Sequence, residues 1–141
     1  MLVHASLEKK NPAEREHKEQ FLNIKYVINK HTDQGAPIWK TFSLDSLDLV
    51  YLITCKVCQK LYIGQTKNTL RARLKQHLYY INHPHKQTEL YNHFRIHGVE
   101  NLIISGLESR TGWTGAQRVA AERRWIAGLQ TLMPLGLNEV S

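Results

Sequence analysis

The stretch "VYLITCKVCQKLYIGQTKNTLRARLKQHL", residues 50–78, divides by its apolar spacing into a strand, a tight turn holding Cys55 and Cys58, a second strand ending at Gly64, and a basic helix. From Thr69 onward Leu70, Leu74, Leu78 and Ile81 recur at helical spacing and form a stripe for burial, while Arg73 and His77 fall four apart on the adjoining face. That spacing brings a permanent cation and an imidazole to the rim of the core. Taken alone, the helix also reads as a solvated basic face, Tyr51 and Tyr62 as core aromatics of a sheet, and Gly64 as ordinary turn geometry.

Working outward, "TELYNHFRIHG" (88–98) predicts a short helix closed by Gly98, "NLIISGLES" (101–109) a third strand, and "GAQRVAAERRWIAGLQTL" (115–132) a long helix stopped before Pro134. A hairpin followed by two helices, a strand and a helix predicts an α/β chain of the α+β kind, a small antiparallel sheet flanked by helices. Upstream, "PAEREHKEQFLNIKYVINKH" (12–31) starts on Pro12 and sets Phe21, Ile24 and Ile28 at helical spacing, so a helix is expected there. Gly35 and Pro37 then break the pattern, which divides the chain into an N-terminal helical extension or linker over 1–45 and a main domain over 46–141.

A chain of 141 residues holds one ordinary domain and therefore one site. Its longest apolar runs, such as "LVYLI" (49–53), are strand-sized, and the first residues lack a charged start followed by an apolar segment. No membrane association is expected, and an intracellular location is: nuclear in a eukaryote, cytoplasmic in a prokaryote. Residues 1–48 carry seven basic and seven acidic side chains, and residues 49–141 carry twelve against five, so the net charge of +7 belongs wholly to the second part. Such a segment suits a polyanion, because cations that neutralise phosphates gain affinity through counterion release; a generic soluble surface is the alternative.

In the last predicted helix Val119, Ile126 and Leu129 define an apolar stripe, and Glu122 falls inside it where another apolar residue belongs. A carboxylate there costs free energy unless it is paired, with Arg73 or Arg118 for example, or bound to a cation. Residues 49–141 contain no Asp, and only Glu89, Glu100, Glu108, Glu122 and Glu139. Two-metal hydrolysis draws on several converging carboxylates, so if this domain cuts phosphodiesters it is expected to use one metal with help from Arg, Tyr and His.

The ordered set of Leu49-Val50-Tyr51, Tyr62-Ile63-Gly64, Arg73 with His77, Glu122 and the closing Gly136-Leu137-Asn138 resembles the GIY-YIG endonuclease family over residues 49–139. The first tripeptide departs from the pattern, since its glycine and isoleucine are replaced and only the tyrosine is kept. The resemblance implies a three-stranded antiparallel sheet carrying Tyr51 and Tyr62 side by side near the attacking water. Tyr62, or a water it orients, would be the base, with Tyr51 in the same hydrogen-bond network. A tyrosine of pKa about 10 needs a cationic setting for that, which Arg73 and a metal would supply. Arg73 would hold the scissile phosphate, His77 would bond a phosphate oxygen or assist proton transfer, and Glu122 would be the carboxylate on a catalytic Mg²⁺ or Mn²⁺. Gly64 would let the backbone turn close beside the substrate, Asn138 would support the site, and Lys67, Arg71 and Lys75 would add contacts to DNA. On its own, Asn138 reads equally as a turn residue.

Two cysteines cannot build a disulfide framework for a chain of this size, and their C-x-x-C spacing points to metal or redox chemistry. With His93 and His97 four apart on a predicted helix they form a candidate four-ligand zinc set, with His83 and His85 as rival ligands and buried thiols as the alternative. A cysteine pair just before a YIG motif, with downstream histidines and a P-x-G-L-N ending, is similar to the endonuclease domains of Penelope-like retroelements. This implies a DNA endonuclease that nicks during mobile-element insertion or a related repair step, fused to or associated with a reverse transcriptase or another mobile-element protein. The competing readings are a catalytically silent nucleic-acid-binding module and a zinc-stabilised protein-interaction domain.

Overall fold

The computed structural model describes residues 17–140. Strands β1 (Tyr26–Ile28) and β2 (Gly35–Pro37) form an antiparallel pair of their own, while β3 (Leu47–Cys55), β4 (Leu61–Thr69) and β5 (Leu102–Glu108) form an antiparallel sheet in the order β4-β3-β5. Helices α1 (Leu70–Ile81) and α2 (Glu89–His97) lie between β4 and β5 in the chain, and α3 (Gly115–Leu129) follows β5. None of these helices is long and apolar enough to cross a membrane.

The central strand β3 is buried on both faces, which its unbroken apolar run Leu49 to Ile53 already demands. Its pairing with β4 sets Tyr51 opposite Gly64 and Ile53 opposite Tyr62, so both tyrosines point to one face. The expected end of the second strand at Gly64 is five residues short, because Gln65 to Thr69 continue the ladder as far as Leu47. No loop intervenes before α1: Thr69 ends the strand and caps the helix, its hydroxyl accepting from the Ala72 N–H at 3.1 Å. Thr88 and Thr114 cap α2 and α3 in the same way, the latter in a reciprocal capping box with Gln117. Gly98 stops α2 at φ +96.

The expected helix over 12–31 is not what the described part of that stretch forms. Residues 12–16 lie outside the described residues; Lys18–Gln20 make one 3-10 turn, and Tyr26–Ile28 pair with Gly35–Pro37. Tyr26, Val27 and Ile28 are consecutive strand formers, and only Val27 is buried, a period of two that overrides the helical spacing of Phe21, Ile24 and Ile28. The segment packs on the sheet. Phe21 bridges to Ile104 along the outer edge of β5, and Phe42 covers Gly106, where a Cβ would come within 2.5 Å of the phenyl ring. Val27, Ile38, Phe42 and Leu44 thereby join the same core as Leu49, Ile53, Leu74 and Ile104.

The opposite edge, β4, is closed by residues 131–138. Leu137 donates to Leu61 at 2.9 Å, and the Asn138 amide copies a missing ladder partner: its Oδ1 accepts from the Ile63 N–H at 2.9 Å, and its Nδ2 donates to the Ile63 carbonyl at 2.8 Å. Thr131 Oγ1 donates to the same Oδ1 at 2.7 Å.

Candidate active site

Tyr51 is fully buried on the central strand, and its hydroxyl is the hub of the site. Arg73 Nε, one turn into α1, donates to it at 2.9 Å, and His77 Nε2, one turn further on, lies 2.6 Å from it. The second ring nitrogen of His77, Nδ1, is 3.0 Å from the hydroxyl of Tyr91 on α2. Tyr62 stands beside Tyr51 with ring centroids 6.5 Å apart and lies 6.0 Å from the His77 ring. Its hydroxyl meets no hydrogen-bond partner among the described residues.

The close packing of Tyr51 depends on Gly64. A Cβ there would lie within 2.5 Å of Tyr51 Cζ and would overlap the hydroxyl, which Arg73 and His77 pin in place. Gly64 thus makes room for the tyrosine of the neighbouring strand. Gly64→Ala is expected to cost about 1–3 kcal/mol of stability by overpacking and to lower activity more than the loss of folded protein explains, as urea titration beside a cleavage assay would show.

Electrostatics divide the cluster into fixed and adjustable members. His77 is 1% exposed, inside the apolar stripe and not at its rim, and burial and then the Arg73 charge push it down to about 3. It is therefore neutral near pH 7, with both nitrogens engaged by tyrosines. Burial, with the charge of Tyr62 behind it and Arg73 opposing, raises the Tyr51 phenol well above its ordinary value. Tyr62 is pushed up to about 12, again first by burial, with Arg73 opposing and Glu122 adding to the rise. Arg73 alone does not provide the lowered pKa that a tyrosine base requires.

Glu122 sits on α3, half-buried, where its charge is felt by both Tyr62 and Arg73. No hydrogen bond or ion pair reaches its carboxylate from any described residue. Arg118, one turn back and a partner considered for it, instead pairs with Asp48 at 2.7 Å and donates to Gln65 at 2.6 Å. Burial holds the Glu122 carboxyl above its usual range, with Arg123 and Arg73 opposing. An unpaired, half-buried carboxylate beside a tyrosine and an arginine fits a single-carboxylate divalent-ion site, with water and a phosphate to complete the shell.

The other expected substrate contacts are scattered. Lys67 is exposed near the end of β4, Lys75 is exposed on α1, and Arg71 pairs with Asp45 at 3.4 Å. Asn138 is buried, and its side-chain bonds go to Ile63 and Thr131, so it supports the strand that carries Tyr62. Tyr91 and Asp48 were missed from sequence. Tyr91 gave a faint signal as an aromatic beside Leu90 and Phe94 on the buried side of a short helix; Asp48 gave none beyond its place one residue before Leu49.

A second cluster lies at the other end of the hairpin. Cys55 ends β3, Cys58 stands in the turn, and His93 and His97 project from α2; their ligand atoms all lie within 4.8 Å of one another. Cys58 Sγ is 3.3 Å from His93 Nε2, and the two imidazoles stack at 4.0 Å. Ligand atoms around tetrahedral zinc are roughly 3.5 Å apart, so this donor set fits that ion with little adjustment. Burial, then His97 and Lys60, hold His93 down to about 4, and burial raises the Cys55 thiol. His83 and His85 lie outside the cluster: His83 stacks on Tyr79 at 3.8 Å and bonds the Tyr79 carbonyl.

Comparison with known proteins matches residues 48–134 to the GIY-YIG catalytic domain. Among solved structures, the catalytic domain of homing endonuclease I-TevI superposes with a TM-score of 0.57 at 22% identity, covering 66% of this chain and 98% of that one. That likeness concerns the fold. A search of curated protein sequences found no match.

Proposed function

The chain belongs to the GIY-YIG catalytic-domain family and is a nuclease, and from that premise we propose that it is a metal-dependent DNA endonuclease working with a single catalytic ion. The observation that carries this reading is the Glu122 carboxylate, left without a protein partner beside Tyr62 and Arg73. A pure binding module has no use for an unpaired acid at a phosphate site, and a protein-interaction domain has no use for the open Tyr62 hydroxyl.

The residues divide the work by what their partners leave available. Arg73 spends Nε on Tyr51 and one Nη1 hydrogen on Gln76, which orients the guanidinium and keeps its remaining Nη donors for a scissile phosphate and the charge that builds on it. Tyr62, held at about 12, carries on the order of one phenolate in a hundred thousand molecules at neutral pH, so it acts chiefly as a phenol that fixes the attacking water. Tyr51 and His77 support Arg73 from behind and do not reach the substrate. Glu122 would hold Mg²⁺ or Mn²⁺, whose charge stabilises the leaving oxygen. Cys55, Cys58, His93 and His97 would hold a separate, structural Zn²⁺ that fixes the hairpin turn to α2. The cysteine pair set before the YIG motif supports placing the activity in mobile-element insertion, where a nick supplies the starting end.

Supercoiled plasmid should convert to the nicked form with Mg²⁺ or Mn²⁺ and remain supercoiled in EDTA; conversion that proceeds unchanged in EDTA would remove the metal-dependent reading. Arg73→Ala is expected to slow nicking about 100- to 1,000-fold while changing duplex affinity less than about tenfold, because its task is transition-state charge. Equal losses in rate and binding would reduce Arg73 to a docking residue.

A further inference from the structure

Tyr91 has no role in the site described so far, yet it closes a buried polar chain that runs from the reaction centre into α2. Arg73 Nε, Tyr51 Oη, His77 and Tyr91 Oη follow one another at 2.9, 2.6 and 3.0 Å. Arg73 can only donate, so the Tyr51 oxygen accepts from it. A neutral imidazole carries one proton, and the chain can be satisfied in two ways. In the first, Tyr51 donates to His77 Nε2 and Nδ1–H donates to Tyr91. In the second, Tyr91 donates to Nδ1, Nε2–H donates to Tyr51, and the Tyr51 proton must find another acceptor.

Burial decides between them. One hydroxyl proton at an end of the chain is left over in either case, and it needs water. Tyr51 is fully buried at 0% exposure, while Tyr91 at 6% keeps some contact with solvent, so the Tyr91 end is the better placed of the two to hand its proton to water. Leaving the spare proton on Tyr51 would strand a donor in the core and turn it toward the space shared with Tyr62.

Building on the nuclease reading, we infer that Tyr91 is a positioning residue for phosphodiester cleavage: it accepts from His77 Nδ1–H, fixes the tautomer whose Nε2 takes the Tyr51 proton, and so keeps the Tyr51 lone pairs aimed at Arg73. Tyr91 touches no substrate. Its effect reaches the reaction through Arg73, whose guanidinium plane is set by the Tyr51 oxygen. The position of α2, which Thr88 caps through the Tyr91 N–H at 3.2 Å, places the hydroxyl at the required height.

The test uses the full chain labelled with ¹⁵N-histidine, with the His77 signals assigned by their loss in His77→Gln. At pH 7 the wild type should show a protonated Nδ1 and an unprotonated Nε2. Tyr91→Phe removes the acceptor and should move the proton to Nε2, reduce kcat for nicking about tenfold, and leave KM and duplex affinity unchanged. A role in packing alone would lower stability without moving the proton. The inference is overturned if wild-type His77 carries its proton on Nε2, a reading that stands even if the variant does not fold. It is equally overturned if Tyr91→Phe keeps full kcat, or loses rate only in step with DNA affinity. A wild type that shows Nδ1–H but neither binds nor nicks DNA would count against the endonuclease reading and leave the tautomer assignment intact.

Discussion

Glu122→Gln is expected to abolish plasmid nicking while leaving the protein at least as stable as the parent. The loss should be about a thousandfold or more, since an ion that supplies several kcal/mol to the transition state is no longer held. The stability effect follows from the environment of the carboxyl. Burial raises its pKa in the folded state, so the group favours folding below its unfolded value, and that contribution is lost as pH rises through the raised value. At neutral pH the charge is a burden on the fold that glutamine does not carry. Thermal melts should show the variant gaining on the parent between pH 4 and pH 7, and DNA affinity should be equal or higher with one negative charge fewer beside the phosphate. Nicking within about tenfold of the parent would end the single-ion mechanism. A clear fall in melting temperature would make Glu122 a structural partner.

The same residue shows what could be read before any coordinates. A charged residue in an apolar helical stripe is visible from spacing, and so was the four-residue step from Arg73 to His77, while the neighbouring placement of Tyr51 and Tyr62 came from the family resemblance. The first two are short-range facts. What spacing could not show was depth: His77 shares the helical face of Leu70 and Leu74, and only the packing of α2 decides that it is buried between two tyrosines. The protein contacts of Gly64 and Asn138 were not legible, because both act across strands on residues distant in sequence. The helix expected over 12–31 gave way, in its described part, where three consecutive strand formers paired with Gly35–Pro37.

Cys58→Ser is expected to release a structural zinc ion and lower the melting temperature by about 10 °C or more. Four ligand atoms within 4.8 Å of one another link the hairpin turn to α2. Protein purified without added zinc should contain about one Zn²⁺ per chain, and the serine variant none. Because α2 also carries Tyr91, the variant should lose nicking activity even at temperatures where it remains folded. A metal-free wild type with an unchanged melting curve after chelation would return both cysteines to the status of buried thiols.

The Asn138 amide that stands in for a strand has a consequence for where the protein can be cut. The match to the catalytic domain ends at residue 134, and a fragment trimmed to 48–134 would keep Tyr51, Tyr62, Arg73, His77 and Glu122. It would lose Leu137 and Asn138 from one border of the sheet and Phe21 and Phe42 from the other. Both margins would then offer unpaired amides and carbonyls to any passing chain, and self-association would compete with folding. The smallest piece that contains the candidate site is thus smaller than the piece that covers both margins of the sheet, and the difference is made by residues outside the matched segment.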